Sequence, residues 1–141
     1  MSTVPQSRHL EGRDGSANHF ADRAPRILII KRSSLGDIVH AMPVACALRR
    51  AYPDAYMVWV VERRFEQILH GHPALDEVIA VRRHRLSMVR ELLSDLFTIR
   101  RQLHSRNFDW AIDLQGLLKS AVVQVLSGAP RKIGLEGHQR E

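Results

Sequence analysis

A single cysteine, Cys46, stands in 141 residues, so no disulfide can form within the chain and a reducing compartment suits it. Flanked by Ala45, Ala47 and Leu48, it reads as a small buried hydrophobe on a helix rather than a nucleophile. No apolar run approaches the roughly 20 residues that span a bilayer, and we expect a soluble chain. Aromatic residues make up only 6% of the sequence, and none falls within Arg82–Arg85. That is thin for the stacking surfaces with which proteins grip nucleic acid. The eight histidines show no ligand spacing, and neither a cysteine nor a carboxylate pair completes a set around His70-Gly71-His72, so no metal is expected. Gly-x-Gly-x-x-Gly and Gly-x-x-x-x-Gly-Lys-Ser/Thr are both absent, which weakens a dinucleotide or P-loop reading.

What the chain does have is positive charge, almost all of it arginine. The formal net charge is +6 and the pI about 10.4, which favours anionic partners without choosing among them. Residues 1–25 form a polar stretch without apolar periodicity, read as a disordered extension. It lacks the apolar centre of a secretory leader. Residues 26–141 then make one domain of ordinary size.

Strand and helix signals alternate through that domain. Strands are predicted at Arg26–Lys31, Ala55–Val61, Glu77–Val81, Trp110–Leu114 and Lys132–Leu135. Helices are predicted from Asp37 to about Tyr52, at Phe65–His70, from Leu86 to about His104, and at Leu117–Leu126. Pro43 predicts an irregular first turn, with the regular helix starting near Met42-Pro43. Leu86, Val89, Leu93, Leu96, Arg100 and Leu103 recur at helical spacing, with Leu92 and Ile99 widening the apolar stripe of the third helix. The alternation implies an α/β fold with a Rossmann-like parallel sheet covered on both faces.

The segment Lys31-Arg-Ser-Ser-Leu-Gly-Asp-Ile-Val-His-Ala-Met-Pro43 directly follows the first strand. Ligands of open α/β sheets bind at the carboxyl ends of strands. Asp37, at a helix start, should be ionised, and a carboxylate there can take a proton from a nearby hydroxyl, although the pattern alone favours a capping role. The spacing Ser34-x-x-Asp37 also fits a capping box, and the two roles are compatible. Gly36 permits close approach of a ligand or a positive φ. Lys31 and the run Arg82-Arg83-His84-Arg85 follow strands, and Lys119 opens a helix, so all could face the same cleft edge, while Arg82–Arg85 also reads as a solvated loop. Gln115 and Gly116 end the fourth strand, where an amide can reach a sugar hydroxyl or simply shape a turn. Asp113, inside an apolar strand, needs hydrogen-bonding partners and reads as structural. His40 reads as a helix-surface residue.

Four stretches carry a resemblance in register. They are Ile29 to Pro43, Trp59-Val60-Val61-Glu62, Ile112-Asp-Leu-Gln-Gly-Leu-Leu-Lys-Ser-Ala121, and Lys132-Ile-Gly-Leu135 with Arg140-Glu141. Together they resemble the opening of the ADP-heptose:lipopolysaccharide heptosyltransferases, glycosyltransferase family 9, and look closest to the type that adds the first heptose. The resemblance implies the N-terminal, acceptor-side domain of a GT-B enzyme, with the C-terminal donor domain absent from this sequence. It implies transfer of heptose from ADP-L-glycero-D-manno-heptose to Kdo-lipid A with inversion, without cofactor or metal, at the cytoplasmic face of the inner membrane. Asp37 matches the family's base. Lys31, Ser34, Gly36, Arg82, Arg83, Arg85, Gln115, Lys119 and Arg140 fall where the acidic acceptor would be held. Two rival expectations are a non-catalytic basic α/β module for nucleic acid or anionic lipid, and an inactive truncated remnant.

Overall fold

The computed structural model describes residues 23–83 and 89–134. Among them, five strands form one sheet: β1 (Arg26–Ile30), β2 (Tyr56–Glu62), β3 (Glu77–Val81), β4 (Trp110–Asp113) and β5 (Arg131–Gly134). Every pairing is parallel, in the order β3-β2-β1-β4-β5. The connections are α1 (Leu35–Ala51), a 3-10 turn (Arg63–Phe65) running into α2 (Glu66–Leu69), α3 (Val89–His104) and α4 (Leu118–Leu126). Strand order reverses at β1, which pairs Leu28 with Val58 on one side and with Ala111 on the other. The carboxyl ends of β1 and β4 therefore meet at a topological switch point, where such sheets leave a crevice.

Continuous apolar runs explain the layering, because a parallel sheet is buried on both faces. Ile27, Ile29, Met57, Trp59 and Val61 pack with Ile38, Ala41 and Ala45 of α1 and Leu69 of α2. Leu28, Ile30, Val58 and Val60 face the other way, against Leu103 of α3 and Val123 of α4. Cys46 lines the first of these layers, half-buried, as a small apolar side chain.

The structure corrects three readings. Helix α1 begins at Leu35 and is regular through Pro43. Its start is set by the capping box at Ser34 and Asp37 rather than by the proline. Pro43 lies on the exposed face, so the carbonyl of Val39, left without its helical N–H, can be met by water. Leu93 is 60% exposed and does not join the buried stripe; the described buried face of α3 runs through Leu103, with Ile99 packed beside it. The last strand is shifted to Arg131–Gly134, and the predicted ends at Leu86 and Leu135 lie outside the described residues.

Much of the arginine is spent fastening the amino-terminal edge. Arg49 bridges the Asp76 carboxylate (2.7 Å) and the carbonyl of Ala55 (2.7 Å), while Asp76 accepts the Met57 N–H. Arg23 forks onto Asp109. The Glu77 carboxylate takes both Arg106, through Nε at 2.9 Å and a terminal nitrogen, and the Tyr56 hydroxyl. The Arg106 hydrogen bond holds the Glu77 carboxyl below its usual range. A carboxyl whose folded pKa is lowered adds stability above its unfolded value, near 4.3, and loses it as pH falls through the folded one. Glu77→Gln should therefore cost about 1.5–3 kcal/mol at pH 7 and flatten the acid limb of the stability curve. Urea melts of both proteins between pH 7 and 3 check this, and parallel curves would contradict it.

Candidate functional site

Between β1 and α1 the chain runs through Lys31, Arg32, Ser33 and Ser34, and both neighbouring strands hold it. The indole Nε1 of Trp59, fully buried in β2, donates to the Lys31 carbonyl (3.0 Å). The Glu62 N–H donates to the Arg32 carbonyl (3.0 Å). From the β4 side, the Gln115 Oε1 accepts the backbone N–H of Arg32 (3.0 Å) and of Ser33 (3.2 Å). The turn that aims Gln115 is itself braced. The buried Asp113 carboxylate accepts the N–H of Gln115 (2.8 Å), the N–H of Gly116 (3.2 Å) and the Ser120 hydroxyl (2.7 Å). Gly116 takes φ 67° there, a conformation in which a side chain is strained. Asp113 is thus structural, as its surroundings required.

Asp37 sits in the first turn of α1 with its side chain 56% exposed. Its Oδ2 accepts the Ser34 N–H (3.1 Å) and the Ser34 hydroxyl (3.0 Å), and the Lys31 ammonium lies 4.0 Å away. The Ser34 N–H first, then its hydroxyl and the Lys31 charge, hold the carboxyl below its ordinary pKa. Its Oδ1 accepts no hydrogen bond from the described residues, so the cap uses one oxygen and leaves the other for a ligand. A carboxylate kept ionised this way is a weak base in the ground state. It suits a base that takes the proton while the hydroxyl oxygen is already bonding to carbon and has become more acidic.

The other expected site residues divide into two groups. Lys31, Ser34 and Gln115 lie in or against the loop. The Gln115 amide oxygen is committed to the loop backbone, which leaves its NH₂ for a sugar hydroxyl. Gly36 is helical without a positive φ, and a Cβ there would meet nothing within 4 Å. His40 is exposed and bonds the Gly36 carbonyl (2.7 Å). Arg82 and Arg83 are exposed beyond β3, two strands from β1, or about 10 Å at ordinary strand spacing. Lys119 is exposed in the first turn of α4. Arg85 and Arg140 fall outside the described residues. Sequence reasoning missed Trp59, Glu62 and Arg32 as parts of the site, and no local spacing signals them. Among the described residues no group of three or more His, Cys, Asp or Glu could hold a metal ion.

Comparison with known proteins bears on this geometry. The sequence model of glycosyltransferase family 9 (heptosyltransferase) matches residues 96–141. The lipopolysaccharide heptosyltransferase 1 of Pseudomonas aeruginosa is 38% identical over 114 residues, covering 79% of this chain and 32% of the relative. That of Escherichia coli K12 is 39% identical over 101 residues, covering 70% and 32%. Among solved structures, E. coli heptosyltransferase WaaC with ADP superposes with a TM-score of 0.62 at 33% identity, over 77% of this chain and 34% of that one. A family 9 glycosyl transferase from Veillonella parvula reaches 0.71 at 23% identity, over 79% and 31%, and supports the fold.

The parallel sheet and these matches define the chain as an α/β protein with one Rossmann-like domain of the kind found in family 9 glycosyltransferases. It belongs to glycosyltransferase family 9, the heptosyltransferases, and spans about a third of the length of the curated relatives it matches.

Proposed function

We propose that this chain is the acceptor-binding half of an inverting heptosyltransferase that moves heptose from ADP-L-glycero-D-manno-heptose to Kdo-lipid A. The observation that carries the reading is the Asp37 carboxylate, held ionised at the switch point with one oxygen unspent. An acceptor hydroxyl hydrogen-bonded to Oδ1 would attack the anomeric carbon from the face opposite ADP. The new C–O bond forms as the bond to ADP breaks, the hydroxyl proton passes to Asp37, and ADP departs as the anion. Lys31, and Arg82 and Arg83 farther along the same edge, would hold the acceptor's acidic groups. A chimera of this chain with the remaining two-thirds of the P. aeruginosa relative tests it. ADP release that requires Kdo-lipid A is expected; a chimera that binds both substrates yet releases no ADP would sink the reading.

The acceptor is a lipid, and α3 offers a surface for its membrane. Among the described residues no helix is long and apolar enough to cross a bilayer. Leu93 and Phe97 are nevertheless 60% and 68% exposed, and the exposed Arg100 and Arg101 follow one turn later. An apolar stripe flanked by arginine suits the headgroup boundary of an anionic leaflet. The chain should float with vesicles containing anionic lipid and stay behind with neutral ones. Leu93→Ser with Phe97→Ser should abolish flotation without changing the melting temperature by more than a few degrees. Unchanged flotation would remove α3 from the membrane contact.

A further inference from the structure

The side chains of Arg23, Arg26, Arg49, Arg64 and Arg106 all donate to acceptors. Arg32, inside the candidate site, does not. Its backbone is fixed on both sides by Gln115 and Glu62, yet its guanidinium finds no acceptor among the described residues. The Nε is buried and unpartnered. The two terminal nitrogens, equally without acceptors, still reach solvent. Burial pushes the guanidinium pKa down, and the opposing influence is the charge of Glu62. That carboxylate is buried and is taken by Arg64 Nε at 3.0 Å, so it offsets the Arg32 charge without satisfying its donors. A half-desolvated cation with five N–H donors and none spent costs free energy until an anion arrives.

Its position says which anion. Arg32 lies two residues past the end of β1, with the Glu62 carboxylate of β2 as its charged neighbour. The Lys31 ammonium instead approaches Asp37. The loop thus presents two neighbouring cations beside the base. Only one of them is coupled to the base. The nearby Glu62 carboxylate repels a doubly charged phosphate more than a singly charged carboxylate, and the terminal edge of a guanidinium matches a carboxylate's two oxygens. We propose that Arg32 is a specificity-determining residue that receives the carboxylate of an acidic acceptor sugar and so turns the sugar's hydroxyl toward Asp37. This rests on the acidic-acceptor reading above.

The test titrates the chain with 3-deoxy-D-manno-octulosonate and, separately, with its uncharged C1 amide, following amide shifts by NMR. Wild type should bind the acid at least about 10-fold more tightly than the amide, the factor expected for one charge-assisted hydrogen-bonded contact. Arg32→Met should lower the acid to the amide's affinity and leave the amide unchanged, and Arg32→Lys should fall between because it keeps charge but not the fork. Should Arg32→Met fail to fold, the Arg32 Nε–Hε resonance of wild type gives the answer by moving with the acid and not the amide. An acid preference that survives in Arg32→Met, or an Nε–Hε signal indifferent to the acid, overturns the Arg32 assignment while leaving the acceptor reading intact. Equal binding of acid and amide by wild type overturns both.

Discussion

Asp37→Asn is expected to lower heptose transfer by roughly 10²–10⁴-fold, the usual contribution of a general base, in the chimera with the remainder of the P. aeruginosa relative. The amide oxygen can still accept the Ser34 N–H that the carboxylate accepts at 3.1 Å. What the amide cannot do is take a proton near neutral pH. A residue that merely caps α1 would show a different pattern, with a stability cost of about 0.5–2 kcal/mol and turnover largely intact. Turnover and melting measured on one preparation separate the two. The pH profile adds a sign. Because the Ser34 contacts and Lys31 lower the Asp37 pKa, the carboxylate is already ionised below the ordinary aspartate value near 3.9. The wild-type rate should then show no acidic limb from Asp37 between about pH 5 and 8. A limb centred near 6 that disappears in the asparagine variant would mean the base has a raised pKa, against the contacts described.

Trp59 carries the second large effect, because it is both core and site. Trp59→Ala should destabilise the fold by about 3–5 kcal/mol, as emptying a fully buried aromatic position does, and lower the midpoint by roughly 10 °C or more. Trp59→Phe is the more informative change. It keeps an aromatic ring in the layer formed with Ile29, Met57 and Ile38 but removes the N–H that holds the Lys31 carbonyl. Leaving that half-buried carbonyl without its partner costs about 1 kcal/mol and frees the loop that orients Lys31 and Asp37. Transfer should fall more steeply than stability predicts, with the loss in turnover rather than in acceptor affinity. A phenylalanine enzyme with wild-type turnover would show that the loop keeps its geometry without the indole.

The fold was legible because its strands are buried on both faces. Runs such as Arg26–Ile30 and Tyr56–Glu62 are nearly continuous in apolar residues, and nothing else of that length and composition fits a chain with helices between. Glu77–Val81 was read to the residue, because Asp76 and the arginines beyond Val81 bound its apolar run. Pro43 misled because proline raises the cost of a helix without forbidding it, and the bond it forfeits lies on the exposed face of α1. Leu93 misled because helical spacing defines a stripe but not its width. In the candidate site, the cap formed by Ser34 and Asp37 was readable from local spacing alone, whereas the reading of Asp37 as a base came from the resemblance. Gln115, Trp59 and Glu62 act on Lys31, Arg32 and Ser33 from strands distant in sequence, which only the register β2-β1-β4 brings together. Arg32 was passed over for a related reason. Its significance lies in the acceptor it lacks, and a missing partner becomes visible only once every neighbour is placed.

The distance from the attacking acceptor hydroxyl to Asp37 Oδ1, measured in a crystal structure of this chain with a Kdo-lipid A analogue, tests the central claim most directly. The account predicts roughly 2.6–3.2 Å, the reach of a general base, with the acidic sugar seated over the loop from Lys31 to Asp37. An acceptor bound at another edge of the sheet, or one whose hydroxyls all lie beyond hydrogen-bonding reach of Asp37, would contradict it.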